Sequence, residues 1–273
     1  RERAKHTLLF AAHMDEVGVI LKKITDDGML TFGFVGGVDP RVVIGRPVRF
    51  GDVQGVIGIK AVHLTTAAER RTMPKTKDLY IDIGAASKAA AEDKVSLGDY
   101  GVFDSAVVEF GDGLIKAKAI DDRVGCVALL KLIEDEPPID TWFCFTVQEE
   151  VGLRGAASMA YALDPGFAMV LEGTTAADLA EVEGGKAVCR VRGGVVLPFM
   201  DGATIYDAEL FELLRNACDK RGIRWQTKTR VAGGTDAGRI HKSRAGVRVC
   251  AAAAPVRYIH SPSSVAAVAD CEA

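Results

Sequence analysis

His13, Asp15, Asp121, Asp122, Glu149, Glu150, Glu172 and His260 are the side chains of this 273-residue sequence whose types and surroundings point to chemistry. Imidazole and carboxylate donors form the nitrogen and oxygen set that suits zinc, cobalt or manganese. Their weight comes from where they fall. His13 closes an apolar run in AAHMDEVG, Gln148-Glu149-Glu150 follows TWFCFTV, Glu172 follows FAMVL, and His260 comes a short loop after GVRVCAAA. In open α/β sheets ligands bind beyond the carboxyl ends of the strands, so four such arrivals at one edge outline a metal centre. A fifth acidic pair, Asp121-Asp122, lies in the turn AIDDRVG just before a helical pattern.

This inventory exceeds the three protein ligands of a single catalytic zinc, and one carboxylate bridging two ions would account for the excess. Adjacent Glu149 and Glu150 at a strand end point to different sides, which lets one bind metal while its neighbour faces the reacting water. His13 and Asp15, two residues apart, can share a face, so Asp15 can hold the imidazole from behind. Singly, each feature has a plainer reading. A lone His13, His260 or Glu172 is more often a hydrogen-bonded polar residue than a ligand, and an Asp pair before a helix is usually an N-cap with a dipole partner. For Asp122 the cap reading stands beside the metal reading.

The elements that must position these residues follow from apolar runs. Thr7 to Ala12, Thr141 to Val147, Phe167 to Leu171 and Gly246 to Ala253 are short and continuously apolar, as strands buried on both faces of a parallel sheet must be. Helical patterns lie between them, one from Val124 closed by Pro137 and Pro138, another from Ala208 closed by Gly222. The expected fold is α/β, a mainly parallel or mixed sheet covered by helices, with residues 1–18 and 111–273 forming the catalytic domain. Residues 19–110 read differently, with short alternating strands, a TDDG turn at Thr25 to Gly28 and many glycines, which predicts an inserted small β-barrel-like domain. Its polar segment Thr65 to Lys77 reads as a mobile loop, and its one histidine, His63, as structural.

Composition narrows the partners. Thirty-four basic side chains against 37 acidic ones give a net charge of -3, which offers no electrostatic case for nucleic acid or an anionic membrane surface. No apolar run approaches transmembrane length. Six cysteines lie far apart without CxxC pairs, as free thiols in a reducing compartment would, so the expected location is cytoplasmic.

The segments AHMDEVG, KAIDDRVG, VQEEVGLRGA, LEGTTAAD, GGTDAGRIH and VRYIHSPSS resemble, in order, the motifs of the di-metal aminopeptidase family that includes bacterial glutamyl aminopeptidases and the tetrahedral TET aminopeptidases. The resemblance runs through nearly the whole chain, including KAVHL and KDLYIDIGA of the inserted stretch. It implies a zinc-peptidase-like fold and two divalent ions per subunit, zinc or cobalt, or manganese. One ion would take His13 and Glu172, the other Glu150 and His260, with Asp121 bridging them and an Asp121–Asp122 peptide bond that is cis. Glu149 would be general base and acid, Asp15 the residue that orients His13, and GGTDAG would lie near the substrate. The implied activity is removal of N-terminal residues from peptides, by a homo-oligomer in which residues 19–110 mediate dimerisation within a larger, often dodecameric, shell. Many relatives have Asp where this chain has Glu172, and the family usually carries more chain at both ends. A deacylase or carboxypeptidase would share every one of these motifs. Some relatives are labelled endoglucanases, a reading that leaves the histidines without a task, and a non-catalytic assembly protein would not need Glu149.

Overall fold

The computed structural model describes residues 7–273; the first six residues of the expected 1–18 segment lie outside the described residues. From the amino end, β1 (Leu8–His13) precedes β2 (Gly18–Ile24), β3 (Leu30–Val35), β4 (Pro47–Phe50) and β5 (Val53–Ile59). A short helix α1 (Ala67–Arg71), β6 (Leu79–Asp82), helix α2 (Lys88–Glu92) and β7 (Tyr100–Phe103) complete that stretch. Then come β8 (Val108–Phe110), β9 (Leu114–Ala117), α3 (Ile120–Glu134), β10 (Thr141–Thr146), α4 (Arg154–Leu163) and β11 (Phe167–Thr175). The chain closes with β12 (Val195–Val196), α5 (Ala208–Arg221), β13 (Trp225–Gln226), α6 (Ala237–Ile240), β14 (Arg248–Val256), β15 (Ser264–Ala267) and α7 (Val268–Cys271). Two compact units result, one of Arg1–Glu16, Val107–Ile259 and Ser264–Ala273, the other of Val17–Ala106 and His260–Ser263.

The first unit is built on a six-stranded sheet in the order β10-β1-β11-β14-β12-β13. The first four strands run parallel, while β12 is antiparallel to β14, so the sheet is mixed. On one face Leu9, Ala11, Ala168, Val170, Val249 and Ala251 are buried against Ala156 and Ala160 of α4 and Ile240 of α6. Small residues on both partners let helix and sheet approach closely. That also explains why α4 gave no sequence signal: RGAASMAYAL packs through alanines rather than through a stripe of large apolar side chains. On the other face Phe10, Phe143, Phe145 and Met169 meet Cys126, Leu129 and Leu132 of α3.

Strand ends differ from the apolar runs in an instructive way. FAMVL is only the first half of β11, which stays paired with β14 as far as Thr175 opposite Val256. Glu172 therefore sits inside a strand instead of just after one, because the backbone ladder continues wherever a neighbour supplies partners. Helix α3 begins earlier than the apolar pattern, but Asp121 and Asp122 have non-helical backbone angles, and the peptide bond between them is cis, as the resemblance implies. Helix α5 ends on Gly222 at φ 68°, the left-handed C-terminal position that glycine adopts at little cost.

In the second unit β2-β3-β6-β5-β4-β7 close into a barrel. Val19, Leu21, Leu30, Phe32, Val48, Phe50, Ile57, Ile81 and Phe103 fill its interior. The Thr25–Gly28 turn joins β2 and β3 with Gly28 at φ 84°. Within the polar segment expected as a loop, Thr66 accepts from the Glu69 amide and Glu69 from the Thr66 amide, and this reciprocal cap starts α1. His63 lies in an exposed 3₁₀ turn.

Candidate metal centre

His13 ends β1 and is 1% exposed, with each of its polar atoms engaged. Its N–H donates to Asp122 Oδ2 at 3.1 Å, its carbonyl accepts from the Cys126 thiol at 3.1 Å, and ring Nδ1 lies 3.0 Å from the Asp15 carbonyl. A carbonyl only accepts, so Nδ1 carries a proton, and Nε2 is the nitrogen left to face the carboxylates. Nε2 faces Asp121 Oδ1 at 3.3 Å, Glu172 Oε1 at 3.7 Å and Glu149 Oε2 at 3.9 Å. Three carboxylates around one ring nitrogen repel one another unless positive charge stands among them, a proton on the imidazole in the metal-free protein or a bound cation.

Glu149 and Glu150 lie past the end of β10, in a turn where Gln148 adopts φ 59°. Their different directions therefore arise from a turn and not from strand alternation. Both of their amides donate to one carboxylate, Glu149 N–H to Asp15 Oδ1 and Glu150 N–H to Asp15 Oδ2, each at 3.1 Å. Asp15 thus holds the imidazole chiefly by its main-chain carbonyl and holds the glutamate pair by its side chain, which remains 3.6 Å from His13 Nδ1. Asp122, buried behind Asp121, accepts from the Gly125 amide at 3.0 Å as a helix cap while its other oxygen anchors His13. Gly173 gives Asp121 room: a Cβ there would lie 3.0 Å from Asp121 Cβ and 3.1 Å from its Cα.

Three sets of donors converge, each with one ligand atom per residue within 4.8 Å of the others: His13, Glu149 and Glu172; His13, Asp121 and Glu150; Asp121, Asp122 and Glu172. His260 is in none of them. It follows β14 at φ 56°, belongs to the second unit, and has Nδ1 3.0 Å from the Gly37 carbonyl.

The electrostatics describe a set of buried anions short of cations. Burial pushes the Glu149 carboxyl up to about 8, with His13 opposing and Asp121, Asp236 and Glu150 reinforcing. Burial also raises Glu172 and Asp122, each against the attraction of His13. At His13 burial disfavours the imidazolium, yet the hydrogen bonds its ring donates to Asp121 and Asp15 and the charge of Glu172 outweigh it and raise the group. Asp15 also resists burial, but His13 and the two glutamate amides hold it below the ordinary carboxylate range. Glu172 Oε2 is buried without a hydrogen-bond partner. An orphaned carboxylate oxygen among an imidazole nitrogen and further carboxylates fits a divalent cation of the zinc, cobalt or manganese type, which would take the place of the imidazolium proton.

Some residues of this region carried no sequence signal of their own. Asp236 of GGTDAG is buried with Thr146 as its side-chain partner, and Tyr206 donates to Asp201 at 2.6 Å beside Thr235. GGTDAG is visible as a motif, but the partner of its aspartate is not.

A family model described as M42 glutamyl aminopeptidase matches residues 1–273. The chain is similar to the glutamyl aminopeptidase of Lactococcus lactis subsp. cremoris, at 30% identity over 271 residues covering 94% of this chain and 75% of that one. It is similar to the crystal structure of a TET aminopeptidase from a marine sediment archaeon of the Thaumarchaeota, with a TM-score of 0.93 and 34% identity, covering 100% of this chain and 79% of that one. A TET peptidase of Pyrococcus horikoshii, described as able to assemble into a tetrahedron or a large octahedral shell, has a TM-score of 0.85 and 32% identity, covering 99% of this chain and 81% of that one.

Proposed function

The chain belongs to the M42 glutamyl aminopeptidase family, and we propose that it works as a metal-dependent aminopeptidase, hydrolysing N-terminal residues from peptides. The observation that carries this reading is the buried cluster in which His13 Nε2 faces Asp121, Glu149 and Glu172 while Glu172 Oε2 has no hydrogen-bond partner. In our assignment His13 and Glu172 would hold one ion and Glu150 and His260 a second, with Asp121 available to both. Zinc or cobalt suits this donor set best, with manganese third. Such ions, when bound, lower the pKa of water and polarise a carbonyl.

The chain's own residues supply the rest. Glu149, raised by burial, takes the proton of the attacking water and returns it to the leaving amine. Asp15 fixes Glu149 and Glu150 through their amides and His13 through its ring nitrogen. Asp122 secures His13 from the opposite side. A glycosidase would need two carboxyl groups about 5 to 9.5 Å apart across a sugar, whereas here a histidine sits among carboxylates converging within 4.8 Å.

The enzyme acts as a homo-oligomer in this reading, with the barrel unit mediating dimerisation and dimers building a dodecameric shell, by analogy with TET relatives. Among the described residues no helix is long and apolar enough to cross a membrane, and all six cysteines are free, which favours the reducing cytoplasm. The decisive assay compares metal-loaded enzyme on a peptide with a free α-amine, its N-acetyl counterpart and a cellulosic substrate. Release of the first residue from the free-amine peptide alone is expected. Turnover of the N-acetyl peptide would make the protein a deacylase or carboxypeptidase instead.

A further inference from the structure

Asp236 is a buried carboxylate with little visible reason to be one. It is 1% exposed, it does not cap α6 with its side chain, and Oδ1 is buried without a partner. Its side chain's hydrogen bond is to the hydroxyl of Thr146, which donates to Oδ2. Burying a carboxyl group with a single neutral donor is unfavourable, which singles out the bond to Thr146.

Thr146 is the last residue of β10 and leads directly into the turn that carries Glu149 and Glu150. That turn is locally unfavourable, since Gln148 at φ 59° and Leu153 at φ 58° are left-handed without being glycine. Such residues are strained and persist only where the surroundings enforce them. On the inner side Asp15 takes the Glu149 and Glu150 amides. At the entry the hydroxyl of Thr146 is fixed by Asp236, while its carbonyl accepts from Met14 N–H at 2.9 Å. Asp236 is itself held in place. Its carbonyl accepts from the Arg239 and Ile240 amides, Gly202 N–H donates to Gly233 O, and neighbouring Thr235 meets the Tyr206–Asp201 pair.

We propose that Asp236, acting through Thr146, is a positioning residue that fixes the Glu149–Glu150 turn for catalysis. The inference rests on the aminopeptidase reading for its kinetic consequence, but its structural consequence is independent of it. The test uses the metal-loaded full chain and the variants Thr146→Val, Thr146→Ser, Asp236→Ala and Asp236→Asn. Kinetics on a free-amine peptide and hydrogen exchange at the amides of residues 149–154 are the two readouts. Thr146→Val and Asp236→Ala should lower kcat some 10- to 100-fold with KM within about threefold, and should speed exchange at these amides at least tenfold. Thr146→Ser keeps the hydroxyl, and Asp236→Asn keeps an accepting oxygen, so both should stay within about fivefold of the parent. Faster exchange at the turn in an enzyme that cleaves no peptide would uphold the positioning role and remove the aminopeptidase reading. Unchanged exchange and kcat in Thr146→Val, exchange accelerated evenly across the chain, or Asp236→Asn as damaged as Asp236→Ala would each overturn the proposal.

Discussion

Glu149→Gln should make the metal-free protein more stable while disabling the enzyme. Without cations, burial pushes the Glu149 carboxyl from the ordinary 4.5 up to about 8. A carboxyl whose folded pKa is raised contributes stability that is fully present below pH 4.5 and is lost as pH rises through 8. At ~1.4 kcal/mol for each pH unit, that interval corresponds to roughly 5 kcal/mol. His13, also raised, acts in the same direction above its ordinary 6.5. Glutamine keeps the size of the side chain and cannot ionise, so it removes the Glu149 share. Chelator-treated parent and variant should unfold alike near pH 5, whereas at pH 8 the variant should be more stable by about 3 to 5 kcal/mol, on the order of 10 °C in Tm. Thermal unfolding from pH 5 to 8, with and without added zinc or cobalt, reads this directly. Metal should abolish the advantage, and kcat of the metal-loaded variant should fall by about 10²- to 10⁴-fold, as for a lost general base. Parallel pH profiles for the two metal-free proteins, or a difference largest at pH 5, would refute the reasoning.

Glu150→Gln should differ by losing metal: occupancy measured by elemental analysis should drop, and excess metal should restore part of the activity, because an amide oxygen is a poorer ligand than a carboxylate. Full occupancy with activity lost would exchange the duties assigned to the two glutamates. Gly173→Ala places a methyl 3.0 Å from Asp121 Cβ and 3.1 Å from its Cα, so Asp121 must move by tenths of an ångström. A stability loss of about 1 to 3 kcal/mol is expected with weaker metal affinity by titration calorimetry, and unchanged affinity would show that Asp121 does not depend on this packing. Asp15→Asn turns an amide NH₂ toward a backbone N–H, which should cost about 1 to 3 kcal/mol by denaturant unfolding and lower kcat at least tenfold. Retained kcat would remove Asp15 from the positioning of Glu149.

The buried strands were legible because a parallel sheet covered on both faces demands continuous apolar runs, and TLLFAA, TWFCFTV, FAMVL and GVRVCAAA satisfy that demand. The barrel was legible through short alternating strands and the TDDG turn. Helix α4 was not, because it packs through alanines. The continuation of β11 past Leu171 was not, because ladder hydrogen bonds belong to the backbone and leave no mark on side-chain type.

At the site, donor types and the strands that deliver them are readable from residue order alone. A histidine closing one apolar run and glutamates following two others already define a chemistry of nitrogen and oxygen ligands. How these pieces act on one another depends on contacts between residues far apart in the chain. His13 and Asp121 are 108 residues apart, yet lie 3.3 Å apart because β1 lies in the sheet that α3 covers. Besides lying 3.6 Å from the imidazole, the carboxylate of Asp15 takes two amides, and Asp236 reaches the same turn through Thr146 from 90 residues away. Backbone amides are common to nearly every residue, so the sequence does not say which of them a carboxylate will meet; the folded chain does, by leaving a buried anion few other donors to bind.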